Sequence, residues 1–334
     1  MVKARKGRAF LYALPLLFVF VVLNLAFGSV YIPLKDVFRA LIGLPISSTQ
    51  NIIILQLRLP RVLLGLGVGA ALSSTGNAFQ AMMKNPLADP YILGVSSGAA
   101  FGAILANVLS QLYDPNLIFY IWIFAFIFGI LAALITYLVA RRQKRLPVTE
   151  LILSGVIVNL MFSAGVTFLI VYGWRDVQLT AFWLLGSLAS SGWNSVIFVG
   201  ITAITTTTFF TVIGKYLNAM TAGEEEAMHV GVHVEALKIV IFVVGTFATA
   251  ISVSAAGIIG FVGLIMPHIA RRLFGADHRI SMPASAILGG VFLVACDSVA
   301  RSAFSPAEMP IGTITALIGA PIFIYILRRR RGIV

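Results

Sequence analysis

Apolar runs of roughly twenty residues, separated by short polar corners, recur along this chain at 9–32, 61–83, 91–112, 117–140, 148–172, 194–214, 236–255, 257–270, 282–300 and 310–327. A bilayer core about 30 Å thick takes about 20 apolar residues per helix. The runs are uniformly apolar, whereas barrel strands would be shorter and would alternate. The pattern therefore predicts an all-α, polytopic membrane protein with about ten transmembrane helices, folded as one domain over 1–334.

The doubtful stretch is 236–270. One straight helix there would run about 52 Å at about 1.5 Å per residue, far beyond the bilayer, and would carry the "RRRR" tail to the opposite face. A hairpin turning near "SVSAAG", with a short returning arm, avoids both problems. Between the fifth and sixth runs, "LTAFWLLGSLASSGW" is apolar but too short to span, so it is expected to lie along or dip into the outer interface. The first run is longer than the apolar part of a cleaved signal, about 7 to 15 residues, and is expected to be a retained helix.

Charge sets the orientation. Lys3, Arg5, Lys6, Arg8, Lys84, Arg141, Arg142, Lys144, Arg145, Lys215, Lys238, Arg271, Arg272, Arg279 and Arg328 to Arg331 share one face. The positive-inside rule makes that face cytoplasmic and puts both termini there. It also accounts for the net charge of +12 without nucleic acid, in a chain that is 59% hydrophobic and 11% charged. Cys296 is the single cysteine, which excludes an intrachain disulfide and a cysteine metal cluster.

Of the 12 acidic residues, only Glu150 and Asp297 fall inside the runs, each close to an end. An ion-coupled carrier needs ionisable or broken-helix sites near the midplane, and this depth is almost free of charge. There is no GxxxxGK[ST] phosphate loop either, so energy for uphill transport must come from another subunit. The four histidines lie on the cytoplasmic side; His229 and His233 are four apart, with Gly231 between them and no third ligand. No metal site, catalytic pair or bound cofactor is expected, and the chain does not read as an enzyme.

Three polar segments stand out. In "KNPLADPYILGVSSGAA", Lys84, Asn85 and Pro86 close one helix, while Asp89 can cap a second that Pro90 begins. Gly94 with Gly98, and Gly65 with Gly69, have the spacing that lets helices approach closely. In "MTAGEEEAMHVGVHVEALK", Thr221 and Glu224 fit a capping box, Glu224, Glu225 and Glu226 suit a first helical turn, and Gly231 can end it. That loop, about 215–235, is either a solvated face or a docking helix. Arg58 and Arg61 in "LRLPR", with Arg301, sit at the outer end, either snorkelling to lipid phosphates or forming a basic docking surface.

Four blocks, "LRLPR", "NPLADPYILGVSSGAA", "GIIGFVGLIMPHIARRLFGADHR" and "EMPIGTITALIGAPIFIYILRRRR", closely resemble the permease family of type II ABC importers for iron-siderophores, haem and cobalamin. The resemblance runs over essentially the whole chain. It implies the ten-helix permease fold and a homodimer, or a pair with a related chain. It also implies two cytoplasmic ATPases that bind the ATP and Mg, an extracytoplasmic binding protein, and the cytoplasmic membrane of a prokaryote.

By the same resemblance Arg58, Arg61 and Arg301 receive glutamates of the binding protein. Gly223 to Val234, including Glu224, Glu225, Glu226, Ala227, Met228, Gly231 and Val232, couples to the ATPase. Asn85, Pro86 and Leu87, with Val148 and Thr149, form the inner gate. Asn159, Ser163 and Thr167, a mildly polar stripe on the fifth run, line the pathway or make an ordinary helix contact. Cys296 stands where the family usually has alanine, and Met228 and His229 where aliphatic residues are usual. Siderophore, haem, cobalamin and oxyanion importers share these blocks; iron chelate is the commonest use. The competing expectation is a stand-alone secondary transporter.

Overall fold

The computed structural model describes residues 15–28, 30–143, 145–172, 183–189, 192–303 and 308–331. The basic start before Pro15 and residues 179–182 and 190–191 of "LTAFWLLGSLASSGW" lie outside them. Among the described residues the chain forms thirteen helices and no strand. They are α1 (Pro15–Ala26), α2 (Leu34–Leu41), α3 (Ser48–Met82), α4 (Val95–Leu112), α5 (Ile121–Ala140), α6 (Val148–Tyr172) and α7 (Trp193–Val212). Then come α8 (Gly214–Ala222), α9 (Glu224–His229), α10 (Val234–Ala256), α11 (Val262–Phe274), α12 (His278–Ser302) and α13 (Ile311–Arg331).

Seven of these helices, α3 to α7 with α10 and α12, are long and apolar enough to cross a membrane. The three remaining apolar runs are occupied by shorter helices: α1, α11 and the apolar stretch Ile311–Ile326 of α13. The second run was expected to begin its helix at Arg61, yet α3 starts at Ser48, where Ser47 accepts the Gln50 N–H. Helix α3 then passes through a π turn, Ile53–Arg58. Pro60 follows one residue later and has no N–H to donate to the preceding turn, the local condition under which a helix widens.

Helix α3 is the axis of the fold. Every residue from Ala71 to Met82 is buried, and a helix buried on all sides sits inside a bundle. Helices α7, α10, α11 and α12 surround it. Glycines set the spacing: a methyl at Gly69 would lie 2.2 Å from the Gly289 carbonyl oxygen of α12, and one at Gly76 only 1.9 Å from that of Gly263 in α11. Gly98 and Gly102 bring α4 equally close to the Phe128 and Phe124 carbonyls of α5. Gly94 has a different task, ending a 3-10 turn at φ +88.

The hairpin between α10 and α11 forms where expected, with Gly257, the last residue of "SVSAAG", at φ +71. Its turn is clamped by Tyr91, whose hydroxyl donates to the Ile259 carbonyl (3.1 Å) and accepts from the Ile259 N–H (3.2 Å). The described part of the outer segment tucks against this turn, with the Ser187 N–H donating to Ala256 O (2.9 Å) and the Ile311 N–H to Gly186 O (3.1 Å).

Gly69→Val should destabilise the chain by about 1–3 kcal/mol or more, because the side chain has only backbone to push against. Gly200, with nothing within 4 Å of an added methyl, should accept alanine without loss. Thermal unfolding of the two variants in detergent measures this contrast, and equal behaviour would mean that the α3–α12 crossing is looser than drawn.

Candidate functional site

The polar corner after α3 is built by its own side chains. Lys84 turns the chain at φ +49, and the Asn85 N–H closes onto Gln80 O (3.1 Å). The Asn85 carboxamide oxygen accepts the Leu87 N–H (2.9 Å), and its carbonyl accepts the Ala88 N–H (3.1 Å). Asp89 accepts the Tyr91 N–H (2.9 Å), capping the 3-10 turn Pro90–Leu93 that leads into α4. Asn85, Pro86 and Leu87 therefore share one rigid turn, from which Leu87 projects.

Beneath the corner lies a polar network that the sequence reading missed. Buried Gln80 donates to Ala88 O (3.2 Å) and Leu264 O (3.1 Å), while its own oxygen accepts from Arg271. Arg271 also donates to Asn77 Oδ1 (2.9 Å), and Asn77 donates to Ser285 Oγ (3.0 Å). Corner, α3, α11 and α12 are thus joined by one chain of hydrogen bonds. The available signal was Asn77 and Gln80, three apart in a run of small and apolar residues.

The predicted stripe on α6 divides. Asn159 points inward, accepting from Ser97 Oγ (2.7 Å) and donating to Tyr91 O (3.4 Å). Ser163 and Thr167 are exposed, and Thr167 returns its hydroxyl to Ser163 O (3.1 Å). They share an open side of α6 with Leu160, Met161 and Phe168. The 3-10 turn meets α6 at Gly155, where a methyl would sit 2.1 Å from Ile92 O. Val148 packs into the core at the start of α6, and Thr149 is exposed.

Helix α9 starts differently from the expected capping box. Helix α8 continues to Ala222, Thr221 returns its hydroxyl to Asn218 O (2.7 Å), and Gly223 is the N-cap. Thr221 is held by the preceding helix and cannot serve the next one. Glu224 instead pairs with the buried ammonium of Lys238 (2.8 Å), which also meets Glu235 (3.1 Å). Glu235 in turn accepts the Leu146 N–H (2.6 Å) ahead of α6. Ala227 and Val232 are buried, Gly231 turns the chain at φ +83, and Glu225, Glu226, Met228, His229 and Val230 face outward.

The three arginines depart from an open basic surface. Arg58, 6% exposed, donates to the Leu25 (2.7 Å) and Ala26 (3.1 Å) carbonyls and so caps the C-terminus of α1. Arg61 lies between Asp297 (2.9 Å) and Glu308 (2.9 Å), and Arg301, 5% exposed, reaches Asp297 at 2.9 Å. Buried Arg58 and Arg301 and part-buried Arg61 each find local acceptors, as guanidinium groups taken out of water require.

The FecCD transport family model matches residues 16–329. The chain is 41% identical to the cobalamin import system permease protein of Halobacterium salinarum over 86% of this chain and 76% of that protein. It is 40% identical to the uncharacterized ABC transporter permease protein YvrB of Bacillus subtilis over 99% and 97% of the two chains. Other matches carry the names of hemin, molybdate and Fe(3+)-citrate import permeases. A solved structure of an inward-facing metal-chelate type ABC transporter superposes with a TM-score of 0.83 at 33% identity, covering 97% of this chain and 99% of that one.

Asp89 gives the corner a pH dependence. Desolvation pushes its carboxyl up to about 6, against the opposing pull of the Tyr91 N–H. A raised acid favours the fold below its unfolded value near 3.9, and that advantage is lost as pH rises through about 6. Asp89→Asn keeps an acceptor for Tyr91 and removes the titration. Its stability should gain on the parent between about pH 4 and 6, by roughly 1–3 kcal/mol, and run parallel above that window. Parallel melting curves from pH 4 to 8 would refute the assignment.

Proposed function

Because the chain belongs to the FecCD transport family, we propose that it is the membrane-spanning permease of an ATP-binding-cassette importer. In this reading it passes a metal chelate of the siderophore, haem or cobalamin kind from an outer binding protein to the cytoplasm of a prokaryote. The observation that carries it is the match of one transport family along 16–329. ATP and Mg are bound and used by two partner ATPases, and both termini lie inside. A second copy of the chain is seated on the open side of α6, where Ser163 and Thr167 face the pathway among exposed Leu160, Met161 and Phe168. The corner at Asn85, Pro86 and Leu87, with Val148 and Thr149, is the inner gate.

Helix α9 is suited to receive force. Glu224, Lys238 and Glu235 tie it to α10 and to the entry of α6, while Met228, 56% exposed, and Val230, 71% exposed, stand out from the surface. An exposed apolar pair on a short anchored helix is what a partner groove would take up. At the other end Arg61 is the arginine best placed to meet an acidic binding protein, since its contact with half-exposed Glu308 can be exchanged. Arg58 and Arg301 support that surface from within.

Co-expressed with its ATPase and placed in liposomes, the chain should accumulate cobalamin or a ferric siderophore only with ATP and binding protein present. Accumulation driven by an ion gradient without ATP would instead establish a secondary carrier. Met228→Asp should weaken ATPase association at least tenfold in a pull-down while leaving the melting temperature of the isolated chain unchanged. Lys238→Ala should lower that temperature, because it leaves two carboxylates without their shared cation.

A further inference from the structure

At the basic end of the bundle a cleft of about 530 Å³ opens between the ends of α3, α8, α11 and α12. Its wall includes Lys84, Arg271, Arg272, His268 and His278, with apolar Ile326, and among the described residues no carboxylate lines it. The nearest acid in sequence, Asp277, is turned to Arg279 (2.8 Å) and to the Asn218 amide (2.8 Å). Arg271 is fixed in place by Asn77 and Gln80, whose amide oxygens hold its guanidinium.

His278 adds an independent sign. Its side chain lines the cleft at 3% exposure, and its Nδ1 has no hydrogen-bond partner. A buried polar nitrogen left without a partner is costly, and such atoms in a native fold call for an explanation. The cleft lies within the volume range of small-ligand sites, about 300–1,000 Å³. Basic pockets between helices at the cytoplasmic side of a membrane are suited to phosphate head groups.

We propose that this cleft binds a phosphate group, with Lys84 and Arg272 supplying mobile cations, Arg271 a fixed one, and His278 Nδ1 a hydrogen bond. The ligand chemistry is that of a phosphate mono- or diester, carried either by an anionic lipid or by a soluble phosphate. Pro86 of the proposed gate borders the cleft, but the test reads phosphate binding rather than transport, so it does not depend on the transported compound.

Binding is measured on the purified full chain in detergent, by native mass spectrometry and melting temperature. The probes are phosphatidylglycerol against phosphatidylcholine, and inorganic phosphate against chloride at equal ionic strength. The comparison variant is Lys84→Asn with Arg272→Gln. Both side chains are exposed, and asparagine tolerates the positive φ at 84. The parent should retain and be stabilised by phosphatidylglycerol, by phosphate, or by both, and the variant should bind the same probe at least tenfold more weakly. Response to the lipid alone identifies a head group as the source, and response to phosphate as well identifies a soluble one. Equal binding by parent and variant, or no binding of either probe by the parent, would overturn the proposal. No probe binding together with loss of ATPase association in the variant would assign the cleft to an acidic partner segment.

Discussion

The side chain of Gln80 holds the basic end of the bundle together. Its amide group donates to the carbonyls of Ala88 and Leu264, and its oxygen receives Arg271. Pro267 has no N–H to give the Gly263 carbonyl of α11, which Gln80 Nε2 approaches at 3.4 Å. This carbonyl and that of Ala88 in the corner would otherwise face an apolar interior, where an unmet polar group costs several kcal/mol. One glutamine therefore satisfies two segments that cannot satisfy themselves. It can do so only because Gly76 and Gly263 let α3 and α11 come within backbone contact.

The same rule governs the few charges inside the protein. Asp297, 1% exposed, is flanked by Arg61 and Arg301, and Lys238, 3% exposed, by Glu224 and Glu235. Each of these two charges has two opposite partners, which returns part of the desolvation cost of taking it out of water. Arg58 uses the alternative acceptor, the free carbonyls at the end of α1, where the helix dipole also favours a cation. Charges that read from the sequence as surface features are consequently structural ties between distant helices.

How much of this was legible follows from the range of each interaction. The apolar runs, the hairpin at "SVSAAG", the Asp89–Pro90 cap and the turn at Gly231 depend on residues within a few positions of one another, and they stand where expected. The Arg61–Asp297 pair joins residues 236 apart, and Arg271–Gln80 joins residues 191 apart. Nothing in local spacing announces such partners. The capping box at Thr221 and Glu224 was a local pattern overruled by tertiary charge, since Lys238 offers Glu224 a stronger partner than a backbone N–H does. The start of α3 was missed for a related reason: a run beginning at Arg61 hides thirteen earlier helical residues, among them Gln50, which donates to Asp36 of α2, and Arg58, which donates to the end of α1.

These unequal ties limit how the corner can move. Toward α3 and α11 it is held by Gln80, by the Asn85 turn and by the Tyr91 clamp on Ile259. Toward α6 it is held by the long Asn159–Tyr91 contact of 3.4 Å and by the packing of Gly155 on Ile92. A rearrangement that parts the corner from α6 breaks the weak Asn159–Tyr91 hydrogen bond and, where the start of α4 follows, the Ser97–Asn159 bond of 2.7 Å. Parting it from α3 strands several buried donors and acceptors at once. If the corner gates a pathway, it must therefore travel as one body with α3 and α11 while α6 slides against it. Helix α9 is tied through Lys238 and Glu235 to the residue that leads into α6, so force applied at α9 arrives at the side of that joint which is free to yield.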